Sequence, residues 1–367
     1  MNFEEELKAF LLAFRPYWRV YFSERLKFAS GYPPLLVRFY KDLFDFTSGG
    51  KKLRAFLVWL GYKIGSPSSS KASTVAKAMA DRSMGKILPI SFAYELTNSF
   101  LLIHDDIIDQ SDIRRRKPTI HKRYENFLGP SASLRAGMHY GLSQAIILGD
   151  IAFLEALNLV NSARFSQTQK LLCQKQLIDT ILETCYGEAL DVEYSYKSAT
   201  IDQIWQMTEL KTAKYTFIGP LTLGATLGGA TNKQLDDLAK FGLLTGKAFQ
   251  LQDDVLGVFG DEKKTGKSTL SDLHEGKNTV LIFKARQMTK GQDKKVLEQL
   301  WGKKNGRLKD LVRVRRIIRD CGALAWCSRE KQKLVGKAKV YVPKITSDVK
   351  LQNLFNQTAD FVIRRES

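Results

Sequence analysis

Apolar residues recur along most of the chain at spacings of three and four, whereas strictly alternating runs of valine and isoleucine are scarce. The first spacing places apolar side chains on one face of a helix, and alternation would place them on one face of a strand. The pattern therefore predicts an all-α fold. The predicted helices span residues 3–14, 34–46, 90–109, 136–161, 168–186, 201–216, 232–257, 278–288, 311–323 and 347–364.

Turn-forming residues separate these helices. They lie at positions 30–34, 48–50, 129–131, 228–229 and 259–261. Glycine and proline there interrupt the helical periodicity, so we expect short polar loops between the helices. Residues 64–76 form the most loop-like insertion, and the lysine-rich stretch 291–307 is predicted to be a surface loop.

One large domain over residues 1–367 is the predicted organisation, because nothing between residues 70 and 300 has the composition of a linker. Residues 290–367 would be its basic, helical carboxy-terminal portion. A chain of 367 residues, 44% of them hydrophobic, is long enough to bury a large core.

Neither export nor a membrane span is predicted. The chain starts with acidic residues where a secretory signal would be basic. Its longest apolar stretch, 141–160, is interrupted by Asp150 and Glu155, and charges are costly in lipid. The four cysteines form neither a CxxC pair nor a disulfide framework, which indicates reduced thiols. These features together predict a cytoplasmic protein.

The charge of the chain is strongly positive, with 57 Lys and Arg against 38 Asp and Glu and a formal net charge of +19. Such a field attracts nucleic acid, anionic lipid or small polyanions, although a solvated basic surface has the same composition. No zinc finger, RNA-binding signature or basic stripe with interleaved aromatics accompanies it. We therefore predict no nucleic-acid partner and keep a nucleic-acid-binding helical protein as an alternative.

An aspartate cluster lies at the end of an apolar helix, at Asp105, Asp106 and Asp109. Asp105 and Asp109 are four residues apart, so their carboxylates lie on one face, about 5–6 Å apart, and repel each other. The negative end of the helix dipole increases that repulsion. A hard divalent cation such as Mg²⁺, shared with a phosphate, would offset it. A solvated acidic helix end is the alternative for such a cluster in isolation.

A second pair, Asp253 and Asp254, lies within another apolar helix. Two such clusters are expected to face each other across a helical bundle and to hold a diphosphate between metal ions. The repetition favours a metal site over solvated acidic ends.

Cations and glycines occur where a diphosphate site would need them. Gly49 and Gly50 precede Lys51 and Arg54 at a predicted helix start, where backbone N–H groups favour an anion. A simple turn is the alternative for this pattern in isolation. Further donors are Arg114, Arg115, Lys211, Thr212 and Lys267. The glycine-containing stretch 260–267 has one residue too many for a P-loop and no preceding strand, which argues against a nucleoside triphosphatase.

Taken in order, these motifs resemble those of the trans-isoprenyl diphosphate synthases, also called polyprenyl synthetases, and in particular the short-chain enzymes that make geranylgeranyl or farnesyl diphosphate. The resemblance is strongest over residues 49–285. The matching motifs are Gly49-Gly50-Lys51-x-x-Arg54, Asp105-Asp106-x-x-Asp109, Arg114-Arg115, Gly149-Asp150, Lys211-Thr212-Ala213, Phe249-Gln250-x-x-Asp253-Asp254, Gly260-Asp261, Thr265-Gly266-Lys267 and Glu275-Gly276-Lys277. The resemblance implies an antiparallel helical bundle of the isoprenoid synthase type with a central active-site cavity. It also implies a transferase that condenses an allylic diphosphate with isopentenyl diphosphate and releases diphosphate.

The resemblance also implies roles for individual residues. Asp105, Asp109 and Asp253 would ligate magnesium, three ions in all, with Asp106 and Asp254 in support. Arg114, Lys211, Lys267 and Lys277 would contact the allylic diphosphate, and Lys51, Arg54 and Arg115 would bind isopentenyl diphosphate. Thr212 and Gln250 would stabilise the carbocation. The family further suggests a homodimer, with no membrane span and with product released near a membrane surface.

Three positions depart from the family pattern. Asn98 stands where the family commonly has histidine or glutamine, and its shorter amide would bind a phosphate with a different reach. Gly257 stands where a third aspartate is usual, so this position supplies no side-chain ligand. Arg116 stands where a glycine commonly follows the arginine pair.

Product length is expected to depend on the residues that precede the first cluster on its helix. Phe100 and Leu101 lie five and four residues before Asp105. One bulky aromatic beside a mid-sized residue is similar to family members that stop at fifteen or twenty carbons, and twenty is our expectation. Phe100 as an ordinary core residue is the alternative.

Two other functions share this fold class. A weakly active regulatory partner of a prenyl diphosphate synthase would retain the fold, although the intact first cluster and the lysines argue against it. A terpene cyclase would carry Asn, Ser and Glu ligands in its second motif, and the pair Asp253 and Asp254 argues against that.

Overall fold

The computed structural model describes residues 2–65, 74–129, 133–261 and 270–365. Within these ranges the chain forms seventeen α-helices, one π-helix and one two-stranded hairpin. The elements are α1 (Phe3–Ala29), α2 (Pro34–Ser48), α3 (Leu53–Gly65), α4 (Thr74–Ile108), β1 (Ile113–Arg114), β2 (Lys117–Pro118), α5 (Ile120–Glu125), α6 (Leu134–Ser162), α7 (Gln167–Tyr196), α8 (Ile201–Thr208), the π-helix (Glu209–Ile218), α9 (Gly219–Gly228), α10 (Asn232–Phe259), α11 (Leu270–Glu275), α12 (Val280–Met288), α13 (Gly291–Leu300), α14 (Leu308–Asp320), α15 (Ala323–Lys339), α16 (Val342–Ile345) and α17 (Val349–Arg364). The all-α prediction is confirmed.

Two compact units divide the chain. The amino-terminal unit comprises Phe3–Lys175 with Leu223–Ala230, and the carboxy-terminal unit comprises chiefly Gln176–Thr222 and Thr231–Ser367. The two units do not test the single domain expected from the sequence, which stays a prediction.

Aromatic side chains form much of the core of the amino-terminal unit. Phe10, Phe14, Phe22, Phe56 and Phe92 are fully buried. Phe92 meets Phe14 and Phe22 edge to face, with ring centroids 5.9 Å and 5.8 Å apart. This geometry adds to the free energy gained by burying the rings. The core therefore joins α1 and α3 to α4, the helix that carries the first aspartate cluster.

The segment Leu223–Ala230 belongs to this unit because it packs closely against α3. A Cβ at Gly224 would lie 1.9 Å from the carbonyl oxygen of Val58, and one at Gly228 would lie 2.4 Å from that of Tyr62. Only glycine allows the two backbones to approach so closely.

Helix α6 combines an apolar composition with a buried carboxylate. Glu155 accepts hydrogen bonds of 2.6 Å from the hydroxyls of both Tyr21 and Tyr40, and Arg25 lies 3.2 Å from it. These contacts offset the cost of burying the charge. By length and hydropathy, Leu134–Ser162 also meets the requirement for a membrane span, with 44% of its apolar window buried. The core helix of a globular protein meets the same requirement, so the predicted absence of a span stays a prediction.

In the carboxy-terminal unit, α10 lies against the π-helix and α15. Thr231 caps α10 in a capping box with Gln234, which explains where the helix begins. Leu251, Val258 and residues of α12 to α15 form a continuous buried cluster. This packing holds the end of α10, where Asp254 is buried and Asp253 stays partly accessible.

The prediction of a surface loop over 291–307 is wrong for its first part, because Gly291–Leu300 is helix α13. The many lysines of this stretch made it look wholly polar, but Val296, Leu297 and Leu300 form a short buried apolar face. The helix predicted over 311–323 ends instead at Asp320, and α15 begins after Gly322, whose φ of 86° is left-handed. Most of the insertion 64–76 lies outside the described residues.

Candidate active site

The first aspartate cluster lies where α4 ends, at Ile108. Its members differ in exposure: 18% of the Asp105 side chain is accessible, against 1% for Asp106. The Arg114 Nε donates to both carboxylate oxygens of Asp106, at 2.7 and 2.8 Å, and its Nη2 donates to Asp105 Oδ2 at 3.0 Å. Both carboxylate oxygens of Asp106 thus accept hydrogen bonds from Arg114, whereas the Asp105 carboxylate remains partly accessible to solvent.

Arg114 is positioned by the hairpin of β1 and β2, in which Arg114 pairs with Lys117. The two turn residues, Arg115 and Arg116, have φ values of 51° and 63°. A two-residue turn with both φ values positive matches the twist of the strands, but it favours glycine or asparagine. The left-handed φ gives a physical reason for the glycine that the family commonly carries at position 116.

The basic loop comprises residues 49–54. Lys51 is exposed and Arg54 is half-buried. The side chain of Arg115 packs directly on the loop, because a Cβ at Gly49 or Gly50 would lie 2.8 or 2.9 Å from its atoms. Its Nη1 also donates to the carbonyl oxygen of Phe46 at 2.9 Å. The structure therefore brings together Arg115 and the basic loop, both expected to bind isopentenyl diphosphate.

Two further predicted residues lie on α4. Asn98 is 6% exposed. Phe100 stacks on Phe153 of α6, with ring centroids 5.2 Å apart, and meets His104 edge to face at 4.8 Å. Leu101 is half-buried. Phe100 is thus part of an aromatic pair rather than a single barrier.

Lys211 and Thr212 lie on the π-helix, which the apolar pattern had predicted as α-helix. The Lys211 Nζ donates to Glu188 Oε1 at 2.9 Å and to Asp191 Oδ2 at 2.6 Å. Lys277 approaches the same Asp191 oxygen at 3.9 Å. Two lysines expected to contact the allylic diphosphate therefore converge on one carboxylate. A π-helix is rare and occurs frequently at functional sites.

Thr212 and Gln250 form a hydrogen-bonded chain with the second cluster. The Thr212 hydroxyl donates to Gln250 Oε1 at 2.7 Å, and the Gln250 amide donates to Asp254 Oδ1 at 2.9 Å. Burial and the nearby carboxylates of Asp253, Asp272 and Asp191 together raise the pKa of Asp254 to about 8, against the hydrogen bond from Gln250, which lowers it. Such a concentration of negative charge favours a bound cation.

Asp253 already has a cationic partner in Arg365, directly after α17. The Arg365 Nη2 lies 2.5 Å from Asp253 Oδ1 and donates to the carbonyl oxygen of Phe249 at 3.1 Å. The guanidinium also lies 3.6 Å from the centroid of the Phe249 ring. Of the Asp253 side chain, 39% remains accessible.

Gly257 lies against Asp272 of α11. A Cβ at position 257 would be 1.8 Å from Asp272 Oδ2. The space that a third aspartate of the cluster would fill is therefore occupied by a carboxylate from another helix.

Gly257→Asp is expected to destabilise the protein by roughly 1–3 kcal/mol through overpacking, and to lower activity rather than add a metal ligand. Thermal unfolding and steady-state turnover measure both effects. Combining it with Asp272→Ala, which restores the space, should recover part of the stability. A single variant as stable and active as the parent would contradict this packing argument.

The residues present fit a magnesium site by their chemistry. Both clusters offer only carboxylate oxygens, the ligands that hard divalent cations prefer. Among the described residues, no three His, Cys, Asp or Glu side chains are already arranged to hold a metal. Asp105, Asp106 and Asp253 instead pair with arginines. Lys267 lies outside the described residues.

Several residues of these surroundings were not singled out from the sequence, among them Glu95 of α4, Phe153, Asp272 and Arg365. For Glu95 a signal was present, because a carboxylate within an apolar helical run must be paired if it is buried. The other three are brought to these surroundings by tertiary packing, which the apolar periodicity of the sequence does not predict.

Comparison with known proteins gives concordant matches. The polyprenyl synthetase family model matches residues 34–318. A geranylgeranyl diphosphate synthase of Methanosarcina mazei is 30% identical over 323 residues, covering 87% of each chain. A geranylfarnesyl diphosphate synthase of Aeropyrum pernix is 28% identical and covers 87% of this chain and 91% of its own.

Among solved structures, the fold matches a geranylgeranyl pyrophosphate synthase from Corynebacterium glutamicum in complex with isoprenyl diphosphate and magnesium. The TM-score is 0.86 at 25% identity, with 100% of both chains covered. The predicted helical-bundle fold is confirmed by this match. The chain therefore belongs to the polyprenyl synthetase family and is a prenyltransferase.

Proposed function

We propose that this prenyltransferase condenses isopentenyl diphosphate with an allylic diphosphate and makes geranylgeranyl diphosphate, with farnesyl diphosphate as the shorter alternative. The observation that carries the proposal is the family match over residues 34–318, which includes both aspartate clusters. Relatives named as geranylgeranyl diphosphate synthases support the longer product.

Two groups of residues would divide the binding of the substrates. Lys51, Arg54 and Arg115 would hold isopentenyl diphosphate, and Arg114, Lys211, Lys267 and Lys277 would hold the allylic diphosphate. Asn98 would bind a phosphate. The contacts of Arg115 with the basic loop support the first group. The convergence of Lys211 and Lys277 on Asp191 supports the second.

Three magnesium ions would be held by Asp105, Asp109 and Asp253, with Asp106 and Asp254 in support. Bound magnesium would neutralise the charge of the diphosphate leaving group, so that the allylic C–O bond ionises. Lys211 and Lys277 would add positive charge at the same group. The oxygens of Thr212 and Gln250 would face the allylic carbocation, which the double bond of isopentenyl diphosphate attacks. The proton then lost would pass to the released diphosphate.

The purified chain, assayed alone with isopentenyl diphosphate, farnesyl diphosphate and magnesium, tests this function. We expect a twenty-carbon product when the products are sized by chromatography. Formation of no product by the chain alone would contradict the proposal and favour the regulatory partner of a prenyl diphosphate synthase.

Phe100→Ala is expected to lengthen the product beyond that of the parent enzyme, because it removes one ring of the Phe100 and Phe153 pair. Replacing both phenylalanines by alanine should lengthen it further. Phe127→Ala, which removes a ring stacked on Tyr140 in the same unit, is the control. Unchanged product length in the double variant would show that Phe100 packs in the core without limiting chain growth.

A homodimer would use the exposed apolar face of α6. Leu134, Met138, Ile146, Ile147 and Leu154 of this helix are between 45% and 76% exposed. Exposed apolar faces of this kind mark interaction surfaces. Sedimentation equilibrium measures the oligomeric state, and a monomer at micromolar concentration would contradict the dimer.

The free thiols of all four cysteines agree with the cytoplasmic location that we propose.

A further inference from the structure

Glu95 is a carboxylate buried in α4, about three turns before Asp105. It is 5% exposed. A buried charge is tolerated when it is paired and hydrogen-bonded. Its partners are the Lys52 ammonium, 3.6 Å from Oε2, and the backbone N–H of Ala55, which donates to Oε1 at 3.3 Å. Glu95 therefore ties α4 to the basic loop and to the start of α3.

Lys52 lies within the basic loop and points into the protein. Its side chain is 10% exposed, and its Nζ donates to the carbonyl oxygens of Thr47 and Gly49 as well as approaching Glu95. Its φ of 56° is left-handed, a conformation that persists in a lysine only when the surroundings enforce it. The contacts of this ammonium thus hold the loop from its buried side.

The influence of Glu95 extends to Arg115. Burial lowers the pKa of the Arg115 guanidinium, the neighbouring Arg114 lowers it further, and the Glu95 carboxylate raises it. Burial likewise lowers the pKa of Lys52, and Glu95 raises it. Glu95 is therefore the buried counter-charge for cations that would otherwise repel one another.

We propose that Glu95 and Lys52 form a positioning pair, which holds the basic loop in the conformation in which Lys51, Arg54 and Arg115 bind the diphosphate of isopentenyl diphosphate. The inference rests on the proposed function, because it assumes that these three cations bind that substrate. Neither member of the pair contacts the substrate. If the loop is already ordered before the substrate binds, no conformational entropy of the loop is lost on binding, and the affinity for the substrate is higher.

The pair predicts a selective effect on one substrate. Glu95→Gln and Lys52→Met should each weaken the binding of isopentenyl diphosphate by roughly 10–100-fold, by analogy with the range for residues that orient metal ligands. The KM for the allylic substrate should change much less, and kcat at saturation of both substrates should be largely retained. Lys52→Arg, which keeps the positive charge, should retain most of the affinity.

Titration calorimetry with isopentenyl diphosphate alone measures the affinity directly, and steady-state kinetics separates the two KM values. Glu155→Gln is the matched control, because Glu155 is a buried carboxylate of the same unit with tyrosine and arginine partners. If Glu155→Gln weakens isopentenyl diphosphate binding as strongly as Glu95→Gln, the effect is general destabilisation and the positioning pair is wrong.

Two further variants separate this inference from the function on which it rests. If Lys51→Ala and Arg54→Ala leave isopentenyl diphosphate binding unchanged, the assignment of the loop itself is wrong. If they weaken binding while Glu95→Gln and Lys52→Met do not, only the positioning pair is overturned. Should Glu95→Gln fail to fold, the comparison of Lys52→Met with Lys52→Arg decides the question, since equal affinity in those two variants contradicts the pair.

Discussion

Replacing Asp105 or Asp253 with asparagine is expected to lower turnover by roughly 100- to 1000-fold, the loss typical of removing one preorganised electrostatic contact to a developing charge. Each substitution exchanges a carboxylate for a neutral amide of the same shape, so packing is preserved while the attraction for a hard divalent cation is lost. The magnesium concentration needed for half-maximal activity should rise as well. Steady-state kinetics over a magnesium titration measures both effects.

The chain supplies a matched control for each aspartate. Asp112 is exposed, follows the first cluster closely and pairs with Lys122. Asp236 is an exposed member of another adjacent aspartate pair on α10, the helix that carries Asp253. Asp112→Asn and Asp236→Asn should leave turnover close to that of the parent. Near-normal turnover in both Asp105→Asn and Asp253→Asn would refute the metal assignment.

Gly187→Ala is expected to destabilise the protein by roughly 1–3 kcal/mol and to lower kcat, because a methyl group there would displace the π-helix. Its Cβ would lie 2.2 Å from the backbone nitrogen of Lys211 and 2.7 Å from the Cα of the same residue. Any shift that relieves the overlap moves Lys211 and Thr212 together. Denaturant unfolding and steady-state kinetics measure the two losses.

Gly336→Ala provides the comparison for this substitution. Gly336 lies within α15 of the same unit, and an added Cβ would meet no atom within 4 Å. Alanine has the higher helix propensity, so the variant should gain about 0.5–1 kcal/mol of stability and keep its activity. Equal stability of Gly187→Ala and the parent would show that the close approach to the π-helix is not needed.

Much of the candidate site could be proposed from the sequence, because its chemistry depends on residues close together in the chain. Asp105 and Asp109 repel each other at helical spacing wherever the helix lies, so a cation was implied before any packing was known. Asp253 and Asp254 within apolar residues carried the same implication. The order of the basic and aspartate motifs then indicated the family, which the comparisons confirmed.

Other features could not be predicted because the apolar pattern does not record them. A π-helix and an α-helix differ in backbone hydrogen bonding and not in the apolar pattern around Lys211, so periodicity did not distinguish them. Likewise, the missing aspartate at Gly257 looked like an empty ligand position, whereas Asp272 fills that space.

The sequence by itself determined the all-α class, the family and the residues that bear charge, since each depends on residue type and short-range spacing. Only the tertiary structure decided which partner each charge has. It pairs Arg114 with Asp106, Arg365 with Asp253 and Lys52 with Glu95. The physical reason is that a charge takes its partner from whichever segment packs against it, and that packing depends on side chains throughout the core.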